Sequence, residues 1–147
     1  MIKLFDIEIN QAEDILIEET GKGDLLVSTV GSGHFSGERI AGKVVPVGIG
    51  TTYTPADGVN IIDAPTLLET DDGAKIFMRL SAYLHLEKGQ EEKLISGGKV
   101  LPEEYYYKGT VDFEVGDARY KWLENRVFIC YGAIMDWSLL RFSVYEI

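Results

Sequence analysis

The chain has 147 residues, of which 46% are apolar, 26% charged and 11% aromatic. That mix excludes a disordered or collagen-like chain and fits one globular domain over residues 1–147. Fourteen Lys and Arg against 24 Asp and Glu leave a net charge of −10, which argues against a nucleic-acid partner and against an anionic membrane surface.

In chain order, residues 2–9 alternate, with Phe5, Ile7 and Ile9 on one side, and predict a half-buried strand. Residues 25–30 predict a second strand, followed by a glycine-dense loop over 31–37. Residues 40–45 form a β-branched run that stops at Pro46, and 51–54 read as a short strand. The longest strands are expected at 59–70 and 75–85. Residues 87–104 break the pattern. They are polar, hold room for one or two helical turns at 90–95, and read as a lid or a solvated excursion. A strand resumes at 105–115, and Asp117 is placed to cap a short helix ending near Asn125. Residues 127–134 and 139–147 close the chain as a hairpin around Asp136 and Trp137. Eight or so strands with at most one or two short helices predict an all-β fold, a small antiparallel β-barrel that removes its own edges by closure.

Cys130 is alone and sits in an apolar run, so it reads as a buried, inert thiol. No apolar run suits a membrane span or a signal peptide, so the expected compartment is the cytoplasm. Two histidines, His34 and His85, with one cysteine are a poor ligand set, so no metal is expected. Neither a phosphate-binding glycine motif nor a nucleophile elbow stands in the sequence, and no organic cofactor is expected.

The hairpin at Asp71-Asp72-Gly73 carries the most information. A two-residue loop would mix charge into both faces. A three-residue loop, with Gly73 in the left-handed position, pairs Pro65 with Arg79 and Asp63 with Ser81. One face then holds Ile62, Ala64, Leu68, Ile76, Met78, Leu80 and Ala82, and the other holds Asp63, Leu67, Glu69, Phe77, Arg79, Ser81 and Tyr83. The polar face is either solvent-facing, with a surface ion pair, or the lining of a barrel pocket. In the pocket, Asp63 and Arg79 are expected to point into the lumen near Tyr106. The run Tyr105-Tyr106-Tyr107 serves as packing or places a phenol in that pocket. Eleven of the 16 aromatics lie between Tyr105 and Tyr145. That surplus suggests a homo-oligomer, most simply a dimer.

Several segments together resemble one family. They are Gly33-His34-Phe35-Ser36-Gly37, the run from Ile40 to Pro46, Ala56-Asp57-Gly58-Val59, Leu68 to Ala74 with Arg79, Phe113 to Leu123 and the final Val144-Tyr145-Glu146-Ile147. Over about residues 25–147 the chain resembles uncharacterised protein family 0311, also called domain of unknown function 3237. The resemblance implies a small antiparallel β-barrel without an assigned activity in most members. It also implies a link, through fungal relatives, to an isomerase acting on a chalcone-like phenolic. Against the family pattern, Tyr53 stands where tryptophan is frequent, and Pro65 and Ser81 stand where arginine is, so the expected pocket is less basic.

Put together, the expected function is binding of a small molecule. The sharper form is a cofactor-independent isomerase or lyase on a phenolic or carbonyl metabolite. Arg79 would steady developing negative charge, Tyr106 would pass a proton, and Asp63 would orient Arg79 or act as base. Phe77, Ser81, Tyr83 and Tyr53 would contact the ligand. The rivals are a non-catalytic binding barrel and a structural homo-oligomer.

Overall fold

The computed structural model describes residues 1–136 and 138–147. Trp137, on which the expected final turn falls, lies outside the described residues. The strands are β1 (Ile2–Thr20), β2 (Gly23–Ser36), β3 (Ala41–Val45), β4 (Ile49–Thr54), β5 (Asn60–Thr70), β6 (Lys75–His85), β7 (Tyr106–Val115), β8 (Phe128–Asp136) and β9 (Leu139–Glu146). Among the described residues there are also one α-helix, α1 (Lys88–Ile95), and two 3₁₀ segments (Pro102–Glu104 and Ala118–Asn125). Among the described residues, no helix is long and apolar enough to cross a membrane.

The strands form one antiparallel sheet in the order β1-β9-β8-β7-β6-β5-β3-β2-β4, and β1 also pairs with β2. That last pairing closes a ring of eight strands, a small β-barrel. β3 and β4 share one slot in the wall. β3 joins β2 to β5 at one end, through Phe35↔Gly42 and Val44↔Leu68. β4 joins the same two strands at the other end, through Leu25↔Tyr53 and Tyr53↔Ile61.

The register of the central hairpin decides which residues face inward. The Gly73 N–H donates to the Thr70 carbonyl (3.0 Å), and the Thr70 N–H donates to the Ala74 carbonyl (2.9 Å). Gly73 holds φ +89°, the left-handed region that glycine enters without a Cβ clash. The pairs are Asp63↔Ser81, Pro65↔Arg79 and Leu67↔Phe77, as the three-residue loop requires. Leu68, Ile76, Met78 and Leu80 are 0% exposed and pack with Phe5, Ile7, Phe35, Val111, Phe128, Phe142 and Val144. The barrel interior is a filled apolar core, the usual outcome for eight strands.

Two elements differ from the sequence reading. β1 does not stop near Ile9 but runs to Thr20, paired with β2 through Ile15↔Val27 and Ile17↔Leu25. Residues 31–36 are strand rather than loop, held on both sides by Ile7↔Phe35 and Gly33↔Val44. Pairing on two sides overrides the weak strand preference of Gly and Ser.

The polar excursion is anchored at the start of its helix. The Gln90 side chain accepts from the Glu87 N–H (3.0 Å) and donates to the Glu104 carbonyl (2.8 Å). Leu94 and Val100 are buried against the core, so the segment packs onto the barrel. Asp117 caps the second 3₁₀ segment, accepting from the Arg119 N–H (2.9 Å).

Candidate functional site

The residues expected in the lumen are on the outside. A sheet residue shares its face with its cross-strand partner, and Asp63, Arg79, Ser81 and Tyr83 all alternate with buried core residues. The apolar face takes the interior because burying it removes the largest area from water. A lumen lined by Asp63 and Arg79 would leave two charges without water. The Arg79 side chain is 60% exposed; it lies over the Phe77 ring (5.4 Å to the centroid) and reaches Glu114 at 3.7 Å. Arg79 and Phe77 therefore stand apart from the other expected site residues, along the wall.

The remainder do come together. Cross-strand pairs build two adjacent outward rows. One runs Thr51–Asp63–Ser81–Thr110, and the other Tyr53–Ile61–Tyr83–Lys108–Tyr131. With Lys22 and Tyr106, and apart from Tyr131, they line a depression of about 830 Å³ on the outer wall. So Tyr53, Asp63, Ser81, Tyr83 and Tyr106, all expected at the site from the sequence, share one open groove. Two ammonium groups stand over aromatic faces there: Lys22 over Tyr53 (5.5 Å) and Lys108 over Tyr106 (5.1 Å) and Tyr131 (5.7 Å).

Tyr106 and Lys108 also border a second depression of about 630 Å³, on the side of α1, whose lining includes His85, Glu87, Glu104 and Tyr131. His85 pairs with Tyr106 across the β6–β7 ladder. Its Nε2 lies 3.4 Å from Glu87, and its Nδ1 is buried without a partner among the described residues. Sequence reasoning missed Lys108, Lys22 and His85. The signal for Lys108 was present, since β7 alternation places it two residues after Tyr106 on the same face.

Two tyrosines flank Tyr106 in sequence but point inward. Burial pushes the Tyr105 phenol above its ordinary pKa, and its oxygen accepts from the Ile134 N–H (2.9 Å). Tyr107 is fully enclosed, and burial drives its ionisation far out of the accessible range. Burial likewise pushes the Cys130 thiol up to about 12, so it stays protonated and inert at neutral pH. His34 faces Glu8 at 3.8 Å, on another part of the wall from His85. Among the described residues, no three His, Cys, Asp or Glu side chains gather as a metal site.

The arrangement can hold a flat, partly polar molecule between aromatic side chains. A carboxylate, several hydroxyls and two ammonium groups are available to its polar edge.

A family model described as a protein of unknown function (DUF3237) matches residues 1–147. A UPF0311 protein of Clostridium acetobutylicum is 31% identical over 141 residues, covering 94% of this chain and 88% of that protein. The crystal structure of a conserved protein of unknown function from Rhodopseudomonas palustris superposes with a TM-score of 0.90 at 23% identity, covering 99% of this chain and 95% of that one. A structure described as an enzyme from Penicillium herquei superposes with a TM-score of 0.67 at 20% identity, covering 97% and 92%.

Proposed function

The chain belongs to the DUF3237 family of proteins of unknown function, and from that premise we propose that it binds a small phenolic or carbonyl compound in the outer groove. The observation that carries this reading is the convergence of Asp63, Ser81, Tyr83, Tyr106 and Lys108 from three strands onto one depression floored by apolar and aromatic side chains. The ligand's ring would lie against Tyr53 and Tyr83, and its oxygen would meet Tyr106 and Lys108.

The catalytic form of the reading is a cofactor-independent isomerase or lyase. In an isomerisation, the Asp63 carboxylate takes a proton from the carbon beside a carbonyl. The electron pair moves onto the carbonyl oxygen, which the Lys108 ammonium and the Tyr106 hydroxyl stabilise as an enolate. The same proton returns to a second carbon or oxygen, so no outside reagent enters. The fold likeness to a protein described as an enzyme supports this form. The openness of the groove supports the alternative, a non-catalytic binding barrel. Arg79 has no part in either form. A single free, buried Cys130 supports a reducing compartment such as the cytoplasm, and the proposed assembly is a homodimer.

The deciding experiment is native mass spectrometry of the purified chain, followed by turnover assays with whatever compound is retained. A retained aromatic or carbonyl compound that is lost in Tyr106→Phe supports the reading. A compound retained equally by Tyr106→Phe and Asp63→Asn overturns it.

A further inference from the structure

We infer that two copies of this chain pack outer face to outer face over the β1–β2–β4 end of the wall, and that the second copy roofs the groove. This rests on the groove reading only for its consequence, since the surface itself is defined by the fold. Cross-strand pairing places Ile17, Leu25, Tyr53, Ile61 and Tyr83 in one row on the outer face. Ile15 and Val27 continue the adjacent row, which runs on through Thr51 to Asp63. Ile15 is 59% exposed, Ile17 47%, Ile61 42% and Tyr83 55%. Single exposed apolar residues are ordinary, but a continuous band of them across five strands marks a contact surface.

Charge selects the occupant. The chain carries −10 overall, and that field opposes the approach of a second copy over most of its surface. On this face the groove brings Lys22 and Lys108 together with Asp63. A patch holding both signs is self-complementary: a two-fold contact sets the lysines of each copy towards the aspartate of the other. The groove supports the same occupant. Its floor comes from strands alone, and it lies open on the outside of the barrel, so a second copy supplies the missing wall.

Pairing through the free strand edge is the competing arrangement, and the sequence guards against it. Among the described residues, β9 pairs with β1 as far as Asn10↔Leu139, with one further bond from the Gln11 N–H to the Ser138 carbonyl (2.9 Å), and the far half of β1 beyond it has an open edge. An antiparallel self-pairing that aligns Ile15-Leu16-Ile17 with itself sets Asp14 against Glu18 and Glu13 against Glu19. Like charges directly opposite destabilise a ladder.

The test is sedimentation of the whole chain over a range of concentrations, with no ligand added. The expected mass is about twice 16.4 kDa. Ile15→Thr/Ile17→Thr keeps strand-forming residues and lies outside the groove lining. It should weaken the dimer by about tenfold or more, with unchanged circular dichroism. If the double variant does not fold, Ile17→Thr alone is read in the same way. Glu18→Lys, which alternates away from Ile15 and Ile17 and sets Asp14 opposite a lysine in the edge pairing, should leave the dimer in place. A wild-type mass of 16.4 kDa at high concentration overturns the inference. So does a dimer that ignores the face variants, or one that responds only to the edge variant. Because no ligand is present, a groove that binds nothing leaves this result standing, and a monomer that binds a ligand overturns only the interface.

Discussion

The Tyr107 ring occupies the space that a side chain on Gly132 would fill: a Cβ at that position would lie 2.6 Å from the ring carbons. Tyr107 is also stacked edge-on against Phe142, with ring centroids 5.2 Å apart, so the ring has no easy retreat. Gly132→Ala should therefore destabilise the protein by about 1–3 kcal/mol, the scale of overpacking a filled core. Urea unfolding would show a lower midpoint at unchanged slope; an unchanged midpoint would mean that the ring can move aside.

Asp63→Asn and Tyr106→Phe should weaken binding of a hydroxybenzaldehyde-type probe in titration calorimetry. The expected loss is about 1.5–3 kcal/mol where a charged hydrogen bond is removed. Both residues are exposed, so the melting temperature should change by no more than about 0.5 kcal/mol of stability implies. Equal affinity in wild type and both variants would remove these residues from the site.

Arg79→Leu serves as the contrasting substitution. Its ion pair with Glu114 joins side chains that are 60% and 63% exposed, and such pairs contribute about 0–1 kcal/mol. Stability and probe affinity should both stay within about 0.5 kcal/mol of wild type. A selective loss of affinity would restore Arg79 to the site.

The central hairpin turn is tied to the second 3₁₀ segment by charge, and acid should loosen that tie. Arg119 reaches Asp72 at 2.9 Å and Asp117 at 2.7 Å, and the Tyr120 hydroxyl donates to Asp72 (2.7 Å). The hydrogen bond from Arg119 holds the Asp117 carboxyl down at about 2, against an ordinary 3.8. Asp72 is lowered by hydrogen bonds from Thr70 and Tyr120. A carboxyl lowered in the folded state contributes stability that is fully present above its unfolded pKa and is lost as pH falls through the folded one. Melting temperature should therefore drop between pH about 4 and 2, and Arg119→Gln should flatten that drop. An identical acid profile for the two proteins would show that this cluster does not couple to folding.

The sequence made the ladder legible and the facing illegible. Gly73 and the alternation around it gave the β5–β6 register residue by residue, because a slip of one would have moved every apolar side chain to the other face. The same alternation says only which residues sit together, not which side is inside. The polar set was read as a lumen because its members look chemical, whereas the interior of an eight-stranded barrel goes to Leu68, Ile76, Met78 and Leu80. Five of the expected site residues nevertheless meet in one groove, since shared-face logic holds on either side of the wall. The far half of β1 was missed because Glu13, Asp14, Glu18 and Glu19 hide a strand that is exposed on both faces. The strand at 31–36 was missed because glycine and serine offer no local preference, and only its two neighbours define it.

The pairing of β1 with β9 brings Ile2 opposite Glu146. A closed ring of antiparallel strands has no first member, and here the two ends of the chain lie side by side within the wall itself. A short linker from Ile147 to Met1 could join them, with new termini opened at the exposed Asp71-Asp72 turn. Such a permuted chain would keep every ladder, β5–β6 included, and lose only the covalent turn that joined them. The order in which the strands are synthesised is then separable from the arrangement they reach, and refolding of that rearranged chain would show which contacts start the barrel.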